Sequence, residues 1–139
     1  MKHLINRNSQ GVFIIAATPF TENGELDLSS VDRLVDFYLN SGVSGMTILG
    51  IMGEAQKLTA DESLTFARHI MGRINGRIPV VVGVSGASLD NMRHLSHSVM
   101  EAGASGVMVA PMPGLGTEAK LNQYFKQVCT TLGPEVPVC

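Results

Sequence analysis

Gly50-Ile51-Met52-Gly53-Glu54 is the stretch whose residue types and spacing best suit chemistry. Two glycines bracket two apolar residues, and a carboxylate closes the run. Glycine tolerates positive φ and lets successive main-chain N–H groups face outward, where they can hold an anion such as a substrate carboxylate. A Gly-x-x-Gly after a strand is also read as a plain turn, and the residues alone leave both readings open. Glu54 could act as an acid or base; the plainer expectation is that it ties the loop down by accepting backbone N–H bonds.

Other candidates carry a bland reading beside the sharp one. His94 and His97 have the i, i+3 spacing of a helical metal pair, yet they fall off the Met92/Leu95/Val99 face and read as a solvated pair. His69, next to Arg68 and without an acidic companion in sequence, reads as surface. Gly83-Val84-Ser85-Gly86-Ala87-Ser88 invites a nucleotide reading but lacks the full Gly-x-Gly-x-x-Gly pattern, so a tight loop is expected there. The lysines are Lys2, Lys57, Lys120 and Lys126. A nucleophilic lysine must be desolvated enough to lower its pKa, and only Lys57 lies near the glycine loop, among polar neighbours. The methionines are expected mostly to fill core space.

These residues need elements to position them. Val12 to Ala17 is a continuous apolar run, read as a buried strand that Thr18-Pro19-Phe20 ends. Asp27 then caps a helix with Leu26 and Val31 as a staple and Val31, Leu34, Val35, Tyr38 and Leu39 on its inner face. Glycine at 42 stops it. Met46 to Gly50 is the second strand. Thr59-Ala60-Asp61-Glu62 is a capping box that opens a helix with Leu64, Ala67, Ile70, Met71 and Ile74 inward and a stop at Gly72 or Gly76.

Ile78 to Val84 is the third strand, and Ser88 caps a helix burying Met92, Leu95 and Val99. Gly106 to Ala110 is the fourth, followed after Pro111-Met112-Pro113-Gly114 by a helix from Thr117 with Leu121, Phe125, Val128 and Leu132 inward. Val136 to Cys139 looks like the opening of a fifth strand. The period is about thirty residues, the length of one βα unit. Asn40-Ser41-Gly42-Val43-Ser44-Gly45-Met46 and Glu101-Ala102-Gly103-Ala104-Ser105-Gly106-Val107 repeat the same small-residue return into a strand. Two α/β architectures fit: a doubly wound open sheet, or the first half of an eight-stranded barrel, which takes about 250 residues in full.

Composition excludes several classes. With 139 residues, 45 % hydrophobic and 16 % charged, the chain is one folded domain rather than a disordered one. A net charge of -2 without a basic cluster argues against nucleic acid. No apolar run is long enough to span a membrane and no export signal is recognisable at the N-terminus, so a cytoplasmic location is expected. Cys129 and Cys139 indicate neither a zinc site nor a disulfide framework.

Gly11-Val12-Phe13 leading to Ala17-Thr18-Pro19-Phe20, then Gly50-x-x-Gly53-Glu54-Ala55 with Leu58-Thr59-x-x-Glu62, then Arg77-Ile78-Pro79-Val80-x-x-Gly83-Val84, resembles the dihydrodipicolinate synthase / N-acetylneuraminate lyase family. The resemblance runs from Gly11 to Pro137 and implies a (βα)8 TIM barrel. About four βα units and the start of strand 5 are present over residues 11–139, with residues 1–10 as an N-terminal tail. It also implies class I aldolase chemistry without a cofactor or metal, on pyruvate or another 2-keto acid, in a homodimer or homotetramer. A lysine forms a Schiff base with the keto group, and the imine acts as an electron sink.

The family's loop reads Gly-Thr-Thr-Gly-Glu and binds the keto acid's carboxylate through backbone N–H groups and a threonine hydroxyl. Here Gly50, Ile51, Met52 and Gly53 are the corresponding substrate-binding residues, with Thr18 beside them at the end of the first strand. Ile51 and Met52 keep the two amides but lose both hydroxyls, each worth roughly 0.5 to 1.5 kcal/mol as a hydrogen bond. A relay tyrosine of the family falls within Ala110-Pro111-Met112-Pro113, where none is present. The Schiff-base lysine and catalytic tyrosine of the family lie beyond Cys139, so no catalytic residue is expected in this chain. Two further readings stand beside the enzyme: a non-catalytic barrel fragment retained for oligomerisation, and a stand-alone doubly wound binding domain.

Overall fold

The computed structural model describes residues 4–139 and alternates strand and helix through four units. The strands are β1 (Phe13–Ile15), β2 (Gly45–Ile48), β3 (Val80–Gly83) and β4 (Gly106–Met108), and the helices α1 (Leu28–Asn40), α2 (Ala60–Ile74), α3 (Leu89–Glu101) and α4 (Glu118–Leu132). Each helix starts where the sequence places a cap. Asp27, Thr59, Ser88 and Thr117 each accept a backbone N–H three residues on, and Thr59 with Glu62 closes a capping box.

All four strands are parallel and lie in the order β1-β2-β3-β4. A doubly wound sheet reverses its strand order part-way and carries helices on both faces; sequential order with right-handed crossovers puts every helix on the same face. The sheet is therefore singly wound, and the barrel alternative holds. Met46, Ile48, Val82 and Val107 point to the helices and join Val31, Phe66, Ile70, Met92, Val99 and Val128 in one core. Alternation aims Phe13, Ile15, Thr47, Val81 and Met108 at the opposite face. Among the described residues that face carries no helix, and Ile15 is 40 % exposed on it. Large and small residues pair across it: the Phe13 ring lies over Gly45, its register partner, and Met108 is paired with Gly83.

A fifth strand begins beside β4. Val107 donates to Pro137 O at 2.9 Å, Cys139 donates to Val107 O at 2.8 Å, and Val138 bridges Val107 in parallel. At the other edge of these strands Ile5 donates to Ser105 O at 2.9 Å, and its side chain fills the space over Gly106.

Several inner faces are rotated from the expected ones. α2 buries Ser63 and Phe66 along with Ala67, Ile70 and Ile74, while Leu64 and Met71 are only partly buried. α3 buries Ser96 and Met100 where Leu95 was expected, and α4 buries Tyr124 where Leu121 and Phe125 were. α2 and α3 each pack between two helices and the sheet, and α4 packs against α3 with Tyr124 turned to Ala110, so each buried arc differs from a single i, i+3, i+4 stripe. Gly72 lies inside α2, which ends at Asn75 and Gly76, both left-handed. The strands are shorter than the apolar runs that contain them. Met52 and Met112 are exposed, unlike the buried Met46, Met92 and Met100.

Candidate active site at the strand ends

Parallel strands bring their C-terminal ends to one edge of the sheet, so the segments after β1, β2, β3 and β4 meet there. Thr18 follows β1, residues 49–54 follow β2, residues 84–88 follow β3, and residues 109–113 follow β4.

The 49–54 loop takes a different backbone from the one its glycines suggest. Gly50 and Gly53 are not left-handed; Leu49 (φ 55) and Glu54 (φ 53) are. Gly53 is tight for room instead, whereas a Cβ on Gly50 would make only ordinary contacts. A Cβ on Gly53 would lie 3.1 Å from Leu49 N and 3.3 Å from Ala16 O, and one on Gly50 would reach Met108 Cε at 3.4 Å. Leu49 itself is 3 % exposed, so its side chain anchors a backbone conformation that leucine disfavours.

Inside the loop Gly53 N donates to Gly50 O at 3.1 Å and Glu54 N to Ile51 O at 3.0 Å. Those amides are spent on holding the turn. The amides of Ile51 and Met52 donate to no protein group among the described residues, and both side chains stand out from the surface, Ile51 at 93 % and Met52 at 62 % exposure. The loop is braced from below by Thr18, whose buried hydroxyl donates to Gly53 O at 2.6 Å. Structure thus brings Thr18, Gly50, Ile51, Met52 and Gly53 together. The Thr18 hydroxyl, however, gives its hydrogen to the loop backbone.

Glu54 corrects the sequence reading. Its carboxylate pairs with Lys57 Nζ at 2.5 Å on the surface, and no side-chain bond to the following turn is made. A left-handed residue turns its side chain away from the amides of its own loop, which leaves the neighbouring cation of Ala55–Lys57 as its partner. Lys57 is accordingly exposed and ion-paired, and has none of the burial that a neutral amine needs.

Sequence reasoning passed over several supports of the site. Ser85 Oγ accepts from Ala110 N at 2.8 Å and ties the third loop to the fourth. Tyr124, reaching from α4, donates its hydroxyl to Ala110 O at 3.4 Å; burial raises its phenol above the ordinary value. The segment Ala110–Pro113 therefore does meet a tyrosine, from the helix side. Gly83 approaches Leu49 closely. The signal for that contact was present as a glycine ending a run of valines, but its partner lies in another unit.

The histidines separate. His69 Nε2 lies 2.8 Å from Asp32 Oδ1 and links α2 to α1, so it is not a free surface residue. His97 reaches α4, its Nε2 3.3 Å from Leu132 O. His94 lines a groove of about 350 Å³ between α2 and α3, together with Leu58, Ser63, Ser85 and Asn91. Among the described residues no three metal-ligating side chains gather, and no helix is long and apolar enough to cross a membrane.

Residues 8–136 match the family described as the Dihydrodipicolinate synthetase family. A 4-hydroxy-tetrahydrodipicolinate synthase of Coxiella burnetii is 33 % identical over 129 residues, which are 92 % of this chain and 43 % of that protein. The crystal structure of dihydrodipicolinate synthase from Rhodopseudomonas palustris superposes with a TM-score of 0.93 at 42 % identity, over 97 % of this chain and 44 % of that one. YagE of Escherichia coli K12, a prophage protein of the dihydrodipicolinic acid synthase family solved in complex with pyruvate, gives a TM-score of 0.79 at 34 % identity, over 91 % and 43 %. The chain thus spans less than half the length of the relatives it matches. Motifs, singly wound sheet and superposition agree, and the chain belongs to the dihydrodipicolinate synthetase family as the first βα units of its barrel.

Proposed function

We propose that the protein acts as a lyase or synthase on pyruvate or another 2-keto acid through a Schiff base, with the amides of Ile51 and Met52 binding the keto acid's carboxylate. The observation that carries this reading is the pair of unspent amides at the tip of a loop clamped on both sides. An anion at that point would accept two N–H bonds from a backbone that has no reorganisation left to make. The pyruvate bound to YagE, a relative with the same fold, supports the choice of ligand class.

In this reading a lysine amine beyond Cys139 attacks the keto carbon and water leaves, giving a protonated imine. The imine then accepts the electron pair of the adjacent C–C bond as it breaks, or stabilises the carbon nucleophile as one forms. No metal or cofactor takes part. Gly50 and Gly53 bracket the two amides, Gly53 in close backbone contact with Leu49 and Ala16, and Thr18 holds the loop in place. The protein works in the cytoplasm as a homodimer or homotetramer, without nucleic acid or membrane partners.

Ile51 and Met52 favour a second reading. They stand where the family pattern has two hydroxyls, and Ala110 to Pro113 has no tyrosine of its own. A barrel that has lost its chemistry and is retained for assembly would carry such changes without penalty. Borohydride reduction of the isolated protein in the presence of pyruvate, followed by intact mass, decides between them. A stable adduct establishes the Schiff base; absence of adduct with pyruvate and with a panel of longer 2-keto acids leaves the non-catalytic reading.

A further inference from the structure

We propose that Gly83 is a positioning residue for the carboxylate site, setting the direction of the Ile51 and Met52 amides through a backbone contact with Leu49. Gly83 ends β3, pairs with Met108, and does not have positive φ, so its backbone conformation does not call for glycine. Space does. A Cβ built on it would lie 2.0 Å from Leu49 O, 2.7 Å from Leu49 C and 3.2 Å from Gly50 N. All three are main-chain atoms of the peptide that opens the loop, and none can swing aside as the end of a flexible side chain would.

That peptide is held from several directions. Leu49 is left-handed and buried, Gly53 packs against its N and Cα, and Thr18 fixes Gly53 O. With Gly83 in place, the Leu49 carbonyl is received against β3, and the Leu49–Gly50 peptide plane has one orientation. The next two amides in the chain are those of Ile51 and Met52. Moving the plane by the distance a methyl group demands would turn both amides together, while the strands beneath keep their ladder. Gly83 touches no substrate in this arrangement and acts only through Leu49.

The inference rests on the reading of those amides as a carboxylate site, and the test separates the two. In the intact protein, borohydride trapping is measured against pyruvate concentration for wild type and Gly83→Ala, with Gly72→Ala, a helix position open to solvent, as control. Gly83→Ala is expected to need at least about tenfold more pyruvate for half-maximal trapping, with the maximum extent of trapping retained. A merely structural defect would lower the maximum in proportion to the folded fraction and leave half-saturation alone. If Gly83→Ala does not fold, Gly83→Ala/Leu49→Gly is compared with Leu49→Gly alone, because glycine at 49 lets the carbonyl turn away from the new methyl; the same increase is expected between those two. Equal half-saturation in either comparison, with an adduct formed, overturns the role of Gly83. No adduct in wild type with pyruvate or with a panel of longer 2-keto acids removes the carboxylate site and, with it, the positioning role.

Discussion

The Thr18 hydroxyl donates to the carbonyl of Gly53 at 2.6 Å from thirty-five positions away in sequence, and it is buried where it does so. This bond joins the end of the first strand to the loop after the second. Replacing Thr18 with Val keeps the shape and strands the Gly53 carbonyl without its donor, a loss of about 1–3 kcal/mol. Thr18→Ser should recover most of it. Urea unfolding of the three proteins checks the order wild type, Ser, Val; a Val variant as stable as wild type would show that water replaces the hydroxyl.

Asp27 predicts an acid limb. Hydrogen bonds from the Ser30 hydroxyl, the Ser30 N–H and the Ser29 hydroxyl, with a smaller contribution from Arg33, lower its pKa from 3.8 to about 2. In the unfolded chain it titrates at the ordinary value, so between the two the unfolded state binds more protons. Its contribution is present above about 3.8 and is lost as pH falls to about 2. Asp27→Asn keeps a cap that still accepts the Ser30 N–H but cannot ionise. The stability of wild type should therefore fall more steeply than that of the variant through this window, measured by urea unfolding at stepped pH.

The α1–α2 clamp is expected to be weak. His69 meets Asp32, and Arg73 meets Asp36, on side chains that are a third or more exposed, apart from His69 at 30 %. Such solvent-facing pairs couple only weakly, because solvent screens them and ordering long side chains opposes them. A double-mutant cycle on Asp36 and Arg73, with both changed to Ala, reads this directly. The two single variants are expected to add nearly independently; strong coupling would mean that the pair is desolvated by something that packs over this face.

Two buried serines predict opposite signs. Ser96 Oγ has no hydrogen-bond partner among the described residues, whereas Ser105 Oγ accepts from Val80 N at 3.1 Å. Ser96→Ala removes an unrewarded hydroxyl and should raise stability by about 1 kcal/mol, while Ser105→Ala orphans a strand N–H and should lower it by about 1–3 kcal/mol. Thermal midpoints of the two variants check both signs in one experiment.

The elements and their order are legible in the letters. Asp27, Thr59, Ser88 and Thr117 announce helix starts because a side-chain oxygen satisfying an orphan N–H is a local affair. The β-branched run at 80–82 announces a buried strand for the same reason. The loop backbone is not legible. Gly50 and Gly53 invite a left-handed reading, yet Leu49 and Glu54 adopt that conformation, and Gly53 is tight against the backbone of Leu49 and Ala16, a contact set by the fold and not by spacing. Phe66 escapes the helical stripe because α2 packs between two helices, and Tyr124 because its ring reaches the Ala110 segment. Long-range partners such as Thr18 with Gly53, Ser85 with Ala110 and Gly83 with Leu49 have no signature in spacing. What the structure shows of the candidate residues is that Thr18 and the glycine loop lie together at the strand ends.

The bond from Ile5 to Ser105 has a consequence in time. Each strand pairs with the one made just before it, so the sheet can grow unit by unit as the chain leaves the ribosome, with loop closures of modest length. Ile5 is the exception. It precedes all four strands in the chain, yet its docking place over Gly106 exists only when the fourth strand has been laid down. The segment around Ile5 must wait through three units of folding and then seats against the fourth, a late contact that records the completion of everything between.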